Sequence, residues 1–413
     1  MENYILERKC RICSGENLQL VLDLGNQPPA NSLLEKSQIN EGELKFPLRL
    51  YWCSDCFLVQ LLDIVSKEHL FQHYLYMTSA SKPIVSHFEK YAKSVFDQFL
   101  KNSNNPLVIE IGSNDGSLLG EFKKLGVQIL GIEPASNLAK LSNDLNIDTL
   151  NEFFSLDIAK QITESRTPSV IVANNVIGHI ENLHNIMEGI KVLIGKTGVF
   201  IFEVPYLIDL IKNLEFDTIY HEHLSYFSLL PLNNLIEQFG LEIFDVQKQD
   251  VHGGSIRVFV SVKNNFQIND SVKKMINDEH EFGLEKIDVY KIFSVKIGEL
   301  KKDLKQVLVD LKKEGKSIFG YGAPAKGNVL LNYCDIDNSI LEFIIDTTPI
   351  KQGKFTPGTH IPIVSPSNIM KKGVGGTALL LAWNYEREIL EKEKEFRNNG
   401  GKFVIPIPSP VIK

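Results

Sequence analysis

The 413-residue sequence predicts an α/β protein in three parts, on three observations. Two Cys-x-x-Cys pairs, Cys10/Cys13 and Cys53/Cys56, stand in a first stretch with too little apolar mass to fold unaided. Short apolar runs separated by helical stretches follow between Leu107 and Glu203. A second, shorter alternation of the same kind begins at Ser317. The length is itself too great for one ordinary core. The expected parts are a zinc-binding module over 1–80, a Rossmann-like ligand-binding domain over 81–265, and a smaller C-terminal Rossmann-like α/β domain over 266–413.

In the first part, two Cys-x-x-Cys knuckles present four thiolates that can converge tetrahedrally on one zinc ion. Four thiolates close the coordination shell, so the metal is structural and not catalytic. Cys334 stands alone and reads as a small buried residue. Asn26-Gln27-Pro28-Pro29-Ala30-Asn31 is turn-rich, and Phe46–Trp52 alternates like a strand. From Pro83 to about Leu100 the apolar spacing of Ile84, Phe88, Tyr91 and Val95 is helical.

The second part carries Leu107–Ile111, Gln128–Ile132, Ser169–Ala173 and Gly198–Glu203 as buried parallel strands. Leu118–Leu125, Ser136–Leu145 and Leu183–Ile194 are the helices between them, which implies a doubly wound sheet. Ser255–Val262 is a late strand of the same sheet. Glu279–Lys313 reads as one long charged helix leading to the third part, where Ser317–Tyr321, Leu341–Asp346 and Thr377–Ala382 are further strands.

Composition narrows the partners. A formal net charge of −7 argues against a nucleic-acid backbone, which needs concentrated positive charge. No apolar run reaches the roughly 20 residues of a membrane span. Met1–Cys10 lacks the apolar core of a secretory signal, so a cytoplasmic location is expected. The expected partner is a small molecule, and the expected state a monomer.

Val108–Leu119 is strand, glycine turn and helix start. Gly112 permits the tight turn and a close ligand approach, at the carboxyl end of a parallel strand where ligands sit. The spacing fits neither a dinucleotide fingerprint nor a phosphate loop. Glu110, Asn114 and Asp115 suit a cationic ligand, and Glu133, ending the next strand, can accept hydrogen bonds from ribose hydroxyls. Asn174 ends the third strand beside any such ligand. Glu110, Gly112 and Glu133 in this order resemble the first two motifs of class I S-adenosylmethionine (SAM) methyltransferases, which makes SAM the expected cofactor.

Two histidine-bearing segments lie beyond that loop, Ala173–Ile180 with His179 and Tyr220-His221-Glu222-His223. A helical conformation puts Tyr220 and His223 on one face, and an extended one pairs His221 with His223 instead. Histidine is the side chain best poised near neutral pH to remove a proton.

Together the Cys-x-x-Cys pairs, Tyr74-x-Tyr76-x-Thr78-Ser79, the Glu110–Gly116 loop, His179, Tyr220–His223 and Gly320-Tyr-Gly-Ala-Pro-Ala-Lys-Gly327 resemble the sugar C-methyltransferases over nearly the whole chain. The resemblance implies methylation of C3 of a nucleotide-linked 4-keto-6-deoxyhexose, with His223 as base and Tyr220, Glu222 and His179 around the sugar. It also implies an aromatic contact from the first part, Tyr76 or alternatively Tyr74. The nucleotide, a thymidine or guanosine diphosphate, is then expected between the second and third parts. Tyr321, Ala323, Lys326 and Asn328 are candidate contacts there, Arg257 a candidate phosphate ligand and Asp346 a ribose acceptor or turn cap. Methylation of oxygen or nitrogen on another small metabolite is the alternative.

Overall fold

A computed structural model describes residues 4–66, 70, 78–80, 82–251, 253–368 and 376–413. Tyr74 and Tyr76 lie outside the described residues.

Phe46–Cys53 alternates buried and half-buried positions, as a strand with one face on a core does. It lies antiparallel between Leu18–Gln27 and Val59–Leu61. The fourth strand of this sheet, Ser225–Tyr226, comes from the middle of the chain and pairs with Val59 and Gln60. The first part is therefore stitched into the second through backbone hydrogen bonds directly after His223.

The middle sheet has seven strands. Leu107–Ile111 is buried at every residue, the pattern of a parallel strand covered on both faces. Gln128–Ile132 and Thr149–Leu150 extend from one side of it, Val170–Asn174 and Val199–Pro205 from the other, all parallel. Ser255–Val262 then runs antiparallel between Val199–Pro205 and Leu241–Gln249. The winding direction reverses between Leu107–Ile111 and Val170–Asn174, which opens a crevice at their carboxyl ends. The C-terminal sheet repeats the device with Ile318–Tyr321 flanked by Ile344–Ile345 and Thr377–Leu380, again parallel.

The expected single helix over Glu279–Lys313 is two helices, Asp270–Phe282 and Ile287–Lys313. Gly283 breaks them in the left-handed region at φ 89°, where a glycine ends a helix with least strain. The first of the two packs back on the middle domain. Its Glu279 carboxylate is fully buried and accepts hydrogen bonds from the Leu229 and Leu230 amides at 2.6 and 2.9 Å, capping the helix Leu229–Glu237. Among the described residues no helix is long and apolar enough to cross a membrane.

Candidate active site

The four cysteine sulfurs of Cys10, Cys13, Cys53 and Cys56 lie within 4.8 Å of one another. Cys10 Sγ is 3.4 Å from Cys56 Sγ, and Cys13 Sγ is 3.6 Å from Cys53 Sγ. All but Cys13 are buried. The donor set and its closeness fit one tetrahedral zinc ion. Cys334 is buried apart from them, its thiol pushed up to about 12 by burial.

The turn after Leu107–Ile111 is built for glycine at Gly112. Its φ is 68°, and a Cβ there would stand 2.4 Å from Val176 Cγ2. Asn114 and Asp115 grip the first part of the chain, for the Thr78 amide donates to Asn114 Oδ1 at 3.1 Å and the Ser79 amide to Asp115 Oδ2 at 2.8 Å. The Glu133 carboxylate accepts from the Ala135 and Asn114 amides at 2.8 and 2.9 Å. Burial holds Glu133 above the usual carboxylate range and Glu110 far above it. The Asn174 amide, near enough to oppose the rise at Glu110, forms no hydrogen bond of normal geometry with it. Among the described residues, both polar side-chain atoms of Asn174, Oε2 of Glu110 and Oγ of Ser113 are buried without a hydrogen-bond partner. Unsatisfied polar groups concentrated at one crevice mark a place where a polar ligand belongs.

The second feature gathers His179 and His223. Tyr220–His223 is a turn closed by the His223 amide on the Tyr220 carbonyl at 2.8 Å, neither helix nor strand. It brings the Tyr220 ring within 3.9 Å of the His223 ring, the pairing expected from helical spacing. His221 points elsewhere, against Phe46 and the Pro47 carbonyl. His223 Nδ1 lies 2.8 Å from the Thr218 carbonyl oxygen, an acceptor only, so Nδ1 carries a proton and donates it there. The His179 ring meets His223 edge-on at 4.8 Å, and burial lowers its pKa to about 4, keeping it neutral. Glu222 is buried, its carboxyl raised to about 7 by burial and partly offset by the Asn31 amide, which donates to it at 2.7 Å. The His179 turn follows Asn174 and Val176, so the histidine pair adjoins the crevice beside Gly112.

The C-terminal residues divide. Tyr321 lies in its own domain's core and donates its hydroxyl to Glu393 at 2.5 Å. The Ala323 amide donates to Asp346 at 2.7 Å, whose other oxygen accepts from the Thr348 amide at 2.7 Å. Asp346 therefore caps that turn. Asn328 donates to the Ala30 carbonyl at 2.7 Å and ties the third part to the first. Arg257 is buried, with Nε 2.7 Å from Glu203 and its guanidinium 3.7 Å over the Tyr91 ring, and these contacts leave it facing no open surface. Lys326 does face the domain junction, with Nζ 3.7 Å over the Trp383 ring. Burial lowers Lys326 to about 8 against the pull of Asp217 and Glu215. Beside it opens a cleft of about 590 Å³, lined by Asn213, Glu215 and Gly253 on one side and Trp383, Arg387 and Arg397 on the other.

Comparison with known proteins places this geometry. Family models match along the chain in order: a zinc binding domain at residues 10–71, a methyltransferase domain at 85–246, and a C-methyltransferase C-terminal domain at 250–408. The C-methyltransferase NovU of Streptomyces niveus is 36% identical over 406 residues, covering 98% of this chain and 96% of that protein. The chain belongs to the sugar C-methyltransferase family.

Among solved structures, the SAM-bound magnesium protoporphyrin IX methyltransferase of Synechocystis PCC 6803 overlaps 44% of this chain and 82% of its own at 12% identity and a TM-score of 0.32. The PH0226 protein of Pyrococcus horikoshii OT3 overlaps 48% of this chain and 100% of its own at 13% identity and a TM-score of 0.37. The C-methyltransferase uses SAM, and its four clustered cysteines bind zinc.

Sequence reasoning missed Asn31, Thr218, Asp217, Trp383 and Ser113. Asn31 carried a signal as the end of a Pro-Pro turn, and Ser113 as part of the Glu110–Gly116 loop. The others become visible once the chain is folded.

Proposed function

We propose that this C-methyltransferase transfers a methyl group to C3 of a nucleotide-linked 4-keto-6-deoxyhexose, with His223 removing the C3 proton. SAM, held at the crevice by Glu110, Gly112, Asn114, Asp115, Glu133 and Asn174, supplies the methyl group. The observation that carries the reading is the tautomer of His223. Its Nδ1–H is spent on the Thr218 carbonyl, which fixes the ring so that Nε2 is the nitrogen left to serve as base.

The C4 ketone acidifies the C3 hydrogen, and its loss to Nε2 gives an enolate. The enolate oxygen needs a positioned donor, supplied by His179 or Tyr220. Tyr220, its ring tilted 35° against the imidazole at 3.9 Å, fixes the plane of the base. Glu222, which burial keeps largely protonated up to about 7, can donate to a sugar oxygen. The family resemblance adds Tyr76, or Tyr74 in its stead, as an aromatic contact for the sugar. The diphosphate and base of a thymidine- or guanosine-linked sugar enter the junction cleft, where Arg387 and Arg397 supply positive charge and Lys326 packs on the lining Trp383.

The test is incubation with SAM and a panel of nucleotide-linked 4-keto-6-deoxyhexoses, with products read by mass and by carbon-resolved NMR. One methyl group on C3 is expected. Methyl transfer to oxygen or nitrogen would replace this reading with the alternative.

A further inference from the structure

The two histidines at the site are held by a residue that no catalytic reading uses. Arg11 sits inside the first cysteine knuckle, between Cys10 and Cys13. Its guanidinium NH1 donates to the Leu224 carbonyl at 2.9 Å and to Gln60 Oε1 at 3.2 Å, and NH2 donates to the Leu61 carbonyl at 2.8 Å. Leu224 is the residue after His223. Its carbonyl also accepts from the Leu61 amide at 2.9 Å, and its own amide donates to the Gly178 carbonyl at 2.8 Å, next to His179. A single residue, Leu224, thus joins the knuckle, the His223 turn and the His179 turn. The knuckle reaches the same place a second way, for the Ile12 carbonyl pairs with His184 Nε2 at 2.8 Å, at the start of the helix Leu183–Ile194 that follows His179. Gly178 leaves little slack, since a Cβ on it would lie 3.2 Å from the Ser225 carbonyl oxygen.

We propose that the Cys10–Cys13 knuckle, acting through Arg11, is a positioning element that sets the distance between His179 and His223. This rests on the assignment of His223 as the base. One divalent ion on four thiolates leaves a negative centre, and Arg11, the residue after Cys10, carries a cation that donates to the Leu224 carbonyl. A planar guanidinium donating to three oxygens fixes direction as well as distance, which a lysine ammonium does less well. Small displacements of a base cost rate steeply, about 10²-fold for about 1 Å.

The test uses the whole zinc-loaded chain carrying Arg11→Gln or Arg11→Lys, with Lys9→Ala as control, since Lys9 is an exposed neighbour whose only ion pair among the described residues is a 3.9 Å contact with Glu16. Four quantities are read: zinc stoichiometry, SAM affinity by calorimetry, turnover of the keto sugar, and histidine ¹⁵N spectra assigned by difference against His223→Asn. R11Q is expected to keep zinc and SAM affinity, lose about 10²-fold in kcat, and shift the His223 nitrogen signals away from the Nδ1–H pattern. R11K should recover part of that loss, and K9A should match the parent.

Unchanged His223 signals and kcat in R11Q would overturn the proposal. So would loss of zinc or SAM binding in both Arg11 variants, because Arg11 would then support the fold at large. If His223→Ala retained turnover, the base assignment would fail, while the His223 shift in R11Q would still report the knuckle's hold on that turn.

Discussion

Two glycine turns stand at the two switch points of this molecule, one after Ile111 and one after Tyr321, each between a buried parallel strand and a helix. Both contain a left-handed glycine, Gly112 at φ 68° and Gly322 at φ 83°. They differ in where their polar neighbours point. Around the first, Asn174, Glu110 and Ser113 hold buried atoms without partners. Around the second, Ala323, Asp346, Tyr321 and Asn328 are all engaged within the protein. The lesson is that a strand–glycine–helix turn announces a ligand only when its polar surroundings are left unsatisfied. The second turn serves mainly to brace the third part against the first, with Lys326 alone directed to the junction.

The sharpest way to break this contrast is at His223, which adjoins the first turn. His223→Ala should lower kcat about 10²–10⁴-fold with SAM affinity unchanged, measured by steady-state turnover and calorimetry. A loss below about tenfold would remove the base from the first site.

Next in size is the paired substitution of the two glycines. Gly112→Ala forces a Cβ to within 2.4 Å of Val176, and Gly322→Ala to within 2.9 Å of Ala382. Each carries strain of about 1–3 kcal/mol. Calorimetry should show SAM affinity falling about tenfold or more in G112A and not in G322A, although both lower the melting temperature. Equal loss of SAM binding in both would erase the distinction.

A smaller effect is expected from Glu222. Burial raises its carboxyl from 4.5 to about 7. The folded state therefore binds a proton more tightly than the unfolded one, so the associated stability is present below 4.5 and is lost as pH rises through about 7. Melting curves should show the parent losing stability relative to Glu222→Gln across that window. Parallel curves would show that Glu222 ionises freely.

The smallest effect tests the second turn. Tyr321→Phe removes one hydrogen bond to Glu393 and should cost about 0.5–1.5 kcal/mol of stability, with the KM for the sugar unchanged. A raised KM would return Tyr321 to the substrate.

Much of the fold was legible because the middle strands are continuous apolar runs and Gly112, Cys10, Cys13, Cys53 and Cys56 sit at informative spacings. The direction of a side chain was not. Arg257, Tyr321 and Asn328 have residue types that suit a nucleotide, and tertiary packing turned each toward a partner far along the chain, Glu203, Glu393 and Ala30. Glu279 looked like one more charge on a solvated helix and caps another helix instead. Ser225–Tyr226 is too short to announce a strand, and its partner lies in a different domain. Spacing allowed the Tyr220–His223 pairing as one of two alternatives, whereas the proton on Nδ1 required knowing where Thr218 lies.

The most direct test follows the proton that His223 is proposed to remove. The measurement is NMR of a nucleotide-linked 4-keto-6-deoxyhexose in deuterium oxide, with the enzyme and S-adenosylhomocysteine in place of the methyl donor. The parent should exchange the C3 hydrogen for deuterium, and His223→Ala should not. Methylation of that sugar with its C3 hydrogen retained would contradict the account.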